Sequence, residues 1–208
     1  MIKTSNLSYS YQDGQQFQFP DININKGEHL VILGPSGVGK TTLLYLMSGL
    51  LPPLQGSVSI DGTELNSLKR HKLDHFRGEN IGLVFQDYQF ITSLSVLENL
   101  RLRQNSPKKQ GDRQRLNELI ERLGITDQSD KKVKNLSQGQ QQRLSIALGL
   151  IHKPKIILAD EPTSNLDDAN CNKVIELLKE EATICGSSLV IITHDFRIKS
   201  HFQNQIEL

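Results

Sequence analysis

Eight residues, Gly34-Pro35-Ser36-Gly37-Val38-Gly39-Lys40-Thr41, restrict this chain more than any other stretch. They sit between an apolar run, Leu30 to Leu33, and a helical one, Thr42 to Met47, so the local order reads strand, loop, helix. Glycines let the backbone curl until successive N–H groups converge, and the positive end of the following helix dipole adds to the same point. Such a nest takes phosphate oxygens. Lys40 then reaches the β- and γ-phosphates and the Thr41 hydroxyl ligates Mg²⁺. The expected nucleotide cradle is Gly34, Pro35, Ser36, Gly37, Val38, Gly39, Lys40, Thr41 and Thr42, and the rest of the chain must say what a nucleoside triphosphate drives there.

At 208 residues the chain accommodates one α/β domain with a small inserted or appended subdomain, and no second full domain. Its 24 Lys and Arg balance 23 Asp and Glu, so no global field recruits nucleic acid or anionic lipid, and no nucleic-acid partner is expected. Cys171 and Cys185 show neither metal-ligand spacing nor a disulfide framework, which places the chain in a reducing compartment, the cytoplasm. The segment Met1 to Asn6 lacks the apolar core of a signal peptide, and no apolar run reaches the length that spans a bilayer. Work at a membrane would need other chains to hold this one there.

Residues 1 to 33 alternate apolar and polar through Leu7, Tyr9, Tyr11, Phe17, Phe19, Ile22 and Ile24. Asp13-Gly14 and Lys26-Gly27 interrupt them as hairpin signals, predicting an antiparallel start. The helix after the glycine loop should end near Ser48-Gly49; Ser57 to Ile60 with Asp61-Gly62 read as strand and turn, and Ile81 to Phe85 as a strand ending at Gln86. From about 92 to 152 the pattern turns helical. Ser95 and Glu98 form one capping box and Ser137 and Gln140 another, while Leu116, Leu119, Ile120 and Leu123 make an apolar face that stops at Gly124. Pro107 to Gly111 reads as a polar loop and Asp127 to Asn135 as a solvated connection. Ile156 to Ala159 and Leu189 to Ile192 are unbroken apolar runs suited to central parallel strands, with a helix from about Asp167 to Ala182 crossing between them. In a parallel sheet ligands gather at the carboxyl ends of strands, so Gly34, Gln86, Asp160 and His194 are expected at one edge.

Asp160, after its strand, is the carboxylate expected to hold Mg²⁺ with Thr41, and Glu161 beside it is the candidate general base for an attacking water. The Gln86 amide is placed to bridge Mg²⁺ and that water, and the His194 imidazole to donate to the γ-phosphate. Lys40 completes the catalytic set. Leu136-Ser137-Gln138-Gly139-Gln140 is a capped helix N-terminus with a glycine admitting close approach, hence a second anion site. Tyr11 is the candidate adenine-stacking aromatic and Tyr9 its competitor. His71 and His75 are four apart but have no third ligand nearby, and Lys108-Lys109 and Lys131-Lys132 read as solvated charges.

The order of these motifs resembles the ABC ATPases, the nucleotide-binding subunits of ABC transporters, over nearly the whole chain. The resemblance makes Gly34 to Thr41 the Walker A motif, Gln86 the Q-loop glutamine and Leu136 to Gln140 the ABC signature. Ile156 to Asp160 becomes Walker B, Glu161 its catalytic glutamate, Ser164-Asn165-Leu166-Asp167 the D-loop and His194 the switch histidine. It implies a P-loop NTPase (RecA-like) core with a small antiparallel β subdomain, over about 1–91 and 153–208, and an inserted helical subdomain over about 92–152. It also implies that Ser137, Gly139 and Gln140 meet nucleotide across a head-to-tail ATP-sandwich dimer with a second copy, and that Asp167 is a further nucleotide-binding residue. One departure stands out: the signature usually carries two glycines, and Gln138 occupies the first.

The function so implied is MgATP hydrolysis coupled to separate integral membrane subunits, with the chain peripheral on the inner face of the cell membrane. Tyr88, Phe90, Ile91 and Leu94 would face that partner. The wording Gln140-Gln141-Gln142-Arg143 and Ala159 to Asp167 is similar to the bacterial lipoprotein-release, macrolide-export and cell-division group, which works on substrates outside the cytoplasm. A soluble ABC ATPase acting in assembly or repair is the alternative. A P-loop kinase would leave Leu136 to Gln140 and Ser164 to Asp167 without a purpose.

Overall fold

The computed structural model describes residues 1–12, 14–104, 112–164 and 166–208; the turn residue Asp13, the loop at 107–111 with its lysine pair, and Asn165 lie outside the described residues. In chain order the strands are β1 (Ile2–Ser10), β2 (Gln16–Gln18), β3 (Asn23–Ile24), β4 (His29–Leu33), β5 (Gln55–Ile60), β6 (Thr63–Glu64), β7 (Ile81–Val84), β8 (Ile156–Asp160), β9 (Ser188–Thr193) and β10 (Asn204–Glu207). The helices are α1 (Lys40–Met47), α2 (Arg70–Asn80), α3 (Val96–Gln104), α4 (Arg113–Arg122), α5 (Gln138–Leu150) and α6 (Asp168–Cys185).

The apolar runs behave as strands covered on both faces. β10, β4, β9, β8 and β7 lie side by side in that order, all parallel, with Leu33 opposite Thr193 and Asp160 opposite Ile192. Side chains alternate across a strand, and here they divide between two cores. Val31, Leu33, Ile157, Ala159, Leu189 and Ile191 pack with the helices α3 to α6. Leu30, Ile32, Ile156, Leu158, Val190 and Ile192 pack on the opposite face with α1 and the first strands of the chain. At roughly 1.5–3 kcal/mol for each fully buried aliphatic side chain, this two-sided burial is the main force that holds the sheet.

The second sheet is antiparallel, with order β2-β1-β5-β6 and β3 paired on β1. Asp61 (φ 53°) and Gly62 (φ 79°) close the β5–β6 hairpin with the two positive φ values of a type I′ turn. Lys26-Gly27 corrects a sequence expectation. It is a turn but not a hairpin: β3 pairs with β1, whereas β4 enters the parallel sheet, so the chain changes layers there.

Both capping boxes form. Ser95 N donates to Glu98 Oε2 at 2.7 Å and Glu98 N to Ser95 Oγ at 3.1 Å, and the Ser137–Gln140 box opens α5. The segment 127–135 is less solvated than its polarity suggests, because Val133 is buried and Val96 N and Leu97 N donate to Lys131 O and Ser129 O. α5 crosses β7 closely: a Cβ on Gly82 would stand 2.1 Å from Gly149 O, and one on Gly149 would stand 2.9 Å from Val84 Cγ2. Two side-chain-free positions set that separation. Among the described residues no helix is long and apolar enough to cross a membrane.

Candidate active site

The carboxyl ends of β4, β7, β8 and β9 point the same way because the sheet is parallel, and each ends on a polar segment. The loop after β4 turns into α1 through Gly39, which has φ 99° and lies so close to Phe17 that a Cβ would meet Phe17 Cδ1 at 2.5 Å. Only glycine fits. α1 has no side-chain cap, so its first N–H groups are left to the loop. Lys40 is buried inside the curl and donates from Nζ to Gly34 O at 2.8 Å and Pro35 O at 2.9 Å.

Thr41 Oγ1 donates to Asp160 Oδ2 at 3.0 Å. The other carboxylate oxygen, Asp160 Oδ1, is buried with no hydrogen-bond partner. Burial, opposed by the Thr41 hydrogen bond and reinforced by the charge of Glu161, pushes the Asp160 carboxyl above its ordinary range. A desolvated carboxylate with an orphaned oxygen beside a threonine hydroxyl is a donor set short of positive charge. These oxygens fit Mg²⁺, which prefers one or two protein ligands and takes the remainder from phosphate and water. Among the described residues no group of three or more His, Cys, Asp or Glu makes a complete metal cage.

Glu161 is held from several sides. Thr193 Oγ1 donates to its Oε2 at 2.6 Å, and His194 N donates to Oε1 at 3.0 Å. His194 Nδ1 lies 2.9 Å from Oε1 and Lys40 Nζ 3.7 Å from it. The Glu161 backbone is left-handed, φ 47°, a conformation that costs a non-glycine residue about 1–3 kcal/mol and persists where the surroundings over-determine it. Its N–H donates to Ile192 O, which sets the turn.

Gln86 shares a cavity of about 200 Å³ with Glu161, Gln138, Gln142 and Ser145. Gln138, Gln142 and Ser145 are one stripe of α5, at i, i+4 and i+7, and Gln142 Nε2 donates to Pro162 O beside Glu161. The Tyr11 hydroxyl is hydrogen-bonded to Thr42 Oγ1 at 3.0 Å, and its ring stands edge-on to Tyr9 (4.8 Å) and Phe17 (6.0 Å). Of the two tyrosines, Tyr11 therefore reaches the first turn of α1. The residue as a whole is 37% exposed.

Other predicted residues stand apart. Among the described residues no hydrogen bond joins Ser137, Gly139 or Gln140 to 34–42; Ser137 and Gln140 are occupied with each other. Asp167 caps α6, accepting from Asn170 N at 2.8 Å. Sequence reasoning passed over Thr193, Asp195 and Arg197, whose contacts reach Glu161 and 166–168. The polar text after Ile192 was their only signal.

The family model described as ABC transporter matches residues 18–164, which hold the loop, Gln86, the capped α5 and Glu161. The chain belongs to the ABC transporter family. It is the ATP-binding, ATP-hydrolysing cassette of that family. It is 39% identical to the lipoprotein-releasing system ATP-binding protein LolD of Bacteroides thetaiotaomicron over 198 residues, 94% of this chain and 90% of the relative. Among solved structures, the ATP-binding cassette MJ0796, dimeric in a post-hydrolysis state bound to ADP and Pi, superposes with a TM-score of 0.89 at 35% identity, covering 100% of this chain and 94% of that one. The cbiO1 protein from Clostridium perfringens, part of the ABC transporter complex cbiONQ, gives a TM-score of 0.87 at 32% identity, covering 99% and 83%.

Proposed function

We propose that this cassette is the ATPase subunit of a transporter whose membrane-spanning subunits are separate chains, and that it works in export or on substrates outside the cytoplasm, of lipoprotein, peptide or drug type. The observation that carries the reading is the arrangement around Glu161: a carboxylate fixed by Thr193 and His194, beside Lys40 and the Thr41–Asp160 pair. The name of the LolD relative supports the lipoprotein end of that range.

In this reading Gly34 to Thr42 cradle the phosphates, and Lys40 exchanges its carbonyl acceptors for phosphoryl oxygens, which bind an ammonium more strongly. Thr41, Asp160 and Gln86 hold Mg²⁺, which neutralises charge on the β- and γ-phosphates when bound. Glu161 accepts the proton of the attacking water. His194 turns Nδ1 to Glu161 and Nε2 to the γ-phosphate; an imidazole donates from both nitrogens only when protonated. Tyr11 carries the adenine.

Residues 92–152 act as the helical subdomain, and Ser137, Gly139, Gln140 and Asp167 complete the site of a second copy in a head-to-tail dimer. The self-contained Ser137–Gln140 box supports this, because the chain carries an anion-binding helix end that its own loop does not use. Membrane subunits dock in a cavity of about 490 Å³ lined by Arg77, Phe85, Ile91, Leu102 and Arg103. Ile91 and Leu102 are exposed there, whereas Phe90 packs on the core. Such docking places the cassette on the cytoplasmic face of the membrane.

Purified protein tests the reading: it should release phosphate from ATP without any acceptor, and Glu161→Gln with MgATP should elute as a dimer on gel filtration. A Glu161→Gln variant that stays monomeric and turns over at the wild-type rate overturns it. Retention of the wild type but not an Ile91→Asp, Leu102→Asp double variant by co-expressed membrane subunits tests the docking surface; binding in neither case favours a soluble ATPase.

A further inference from the structure

Four residues outside the nucleotide cradle form a continuous relay from Glu161 to the start of α6. The Thr193 hydroxyl donates to Glu161 Oε2 at 2.6 Å and accepts from Asp195 N at 2.9 Å. Asp195 takes both Nε and Nη2 of Arg197 at 2.8 Å, a two-point fork, and also accepts from Thr163 Oγ1 at 3.1 Å. The same guanidinium donates from Nη1 to Asp168 Oδ1 at 2.5 Å and from Nη2 to Leu166 O at 3.2 Å. We infer that Arg197 is a positioning residue for hydrolysis, tying 166–168 to the Glu161–His194 turn so that the two move as one body.

Local folding does not require this arrangement. Asp167 already caps α6, and Asp195 caps its own turn by accepting from Arg197 N at 3.1 Å. Nor is stability its purpose. The Asp168 side chain is 83% exposed and that of Arg197 43%, and ion pairs in water contribute about 0–1 kcal/mol. What distinguishes Arg197 is connection: one planar side chain reaches acceptors on two loops, a geometry that a lysine ammonium cannot reproduce. The anchor end is firm, because Asp195 is nearly buried and the Arg197 hydrogen bonds hold its carboxyl down at about 2.

The inference rests on the proposed reading, in which Glu161 is the base and Asp167, next to Asp168, meets a second copy. A push on Asp167 by the second copy then arrives at Glu161 through Arg197, so the two sites of a dimer hydrolyse in concert.

The test compares Arg197→Met, Arg197→Lys, Asp168→Asn and the Arg197→Met, Asp168→Asn double variant by steady-state hydrolysis. Arg197→Met should lower kcat about tenfold with KM for ATP within about twofold, and move the Hill coefficient toward unity. Arg197→Lys and Asp168→Asn should each lower kcat about threefold, and the double variant should be no slower than Arg197→Met, because both lie on one path. A wild-type rate and Hill coefficient for Arg197→Met, or effects that multiply in the double variant, overturn the proposal. Should Arg197→Met not fold, a wild-type rate and Hill coefficient for the exposed Asp168→Asn overturn it instead. Glu161→Gln is run alongside: if it still turns over, the parent reading fails, whereas a trapped Glu161→Gln dimer with a silent Arg197→Met removes only the relay.

Discussion

Two helix N-termini of this chain have the same dipole and opposite fates. α1 begins at Gly39 with no side-chain cap, while α5 begins at Ser137 inside a reciprocal box closed by Gln140. Orphan N–H groups at a helix start demand acceptors. α1 leaves them uncapped by any side chain, which in the proposed reading makes it a standing receptor for phosphate. α5 satisfies part of its demand from its own side chains, so it becomes a receptor only when an acceptor better than a serine or glutamine oxygen arrives. Under the proposed head-to-tail reading the difference gives an order of events: ATP would settle on the first terminus of one copy, and only its phosphates, presented by that copy, would displace the box of another.

Several substitutions break or sharpen that contrast. Glu161→Gln has the largest expected effect. Turnover should fall on the order of a thousandfold, the range of a lost general base, while both termini stay engaged; single-turnover kinetics and gel filtration with MgATP check it. Lys40→Ala damages the standing receptor alone and should weaken ATP binding about a hundredfold, as when one partner of a buried charged contact is truncated; calorimetric titration measures it. Ser137→Ala opens the box. One copy should bind ATP with unchanged affinity, turnover should drop about tenfold, and the helix should lose about 1 kcal/mol of cap, readable as lower cooperativity and a slightly lower Tm. If ATP affinity of the monomer falls as well, the two termini are not separate receptors.

The smallest effect is on stability at low pH. The hydrogen bonds from Arg197 hold Asp195 at about 2, below its ordinary 3.8. A depressed carboxylate stabilises the fold above its unfolded pKa and loses that contribution as pH falls through the folded one. With Arg197 half in solvent, about 1 kcal/mol should vanish between roughly pH 4 and pH 2. Asp195→Asn should flatten that part of a urea-midpoint series against pH.

How much of this was legible depended on whether the signal was local. Gly34 to Thr41 carries its own strand, turn and helix chemistry, and β8 and β9 were readable because strands covered on both faces have no polar alternation to interrupt them. The capping boxes at Ser95 and Ser137 were equally plain, since cap and partner are three residues apart. β10 gave no such cue: its Asn204-Gln205-Ile206-Glu207 is an edge strand, exposed along one side, and its pairing with β4 lies some 170 residues away in sequence. α2 fully buries no residue and touches the core only through Leu73 and Phe76, so its apolar face was too narrow to announce it. Glu161 was singled out by its place after a strand, whereas Thr193 and Arg197 were not, because the partners they reach lie across loops. Val133 was hidden by the charged residues around it.

The crossing of Gly82 and Gly149 has one more consequence. A single methyl group at position 149 would act as a shim between α5 and β7, since its carbon would stand 2.9 Å from Val84 Cγ2 and 3.1 Å from Leu83 O. The stripe of Gln138, Gln142 and Ser145 rides on the same helix, so the shim should shift it relative to Gln86 across the cavity they share. In the proposed reading that seam would act as a throttle, slowing the cassette without touching the residues that hold ATP.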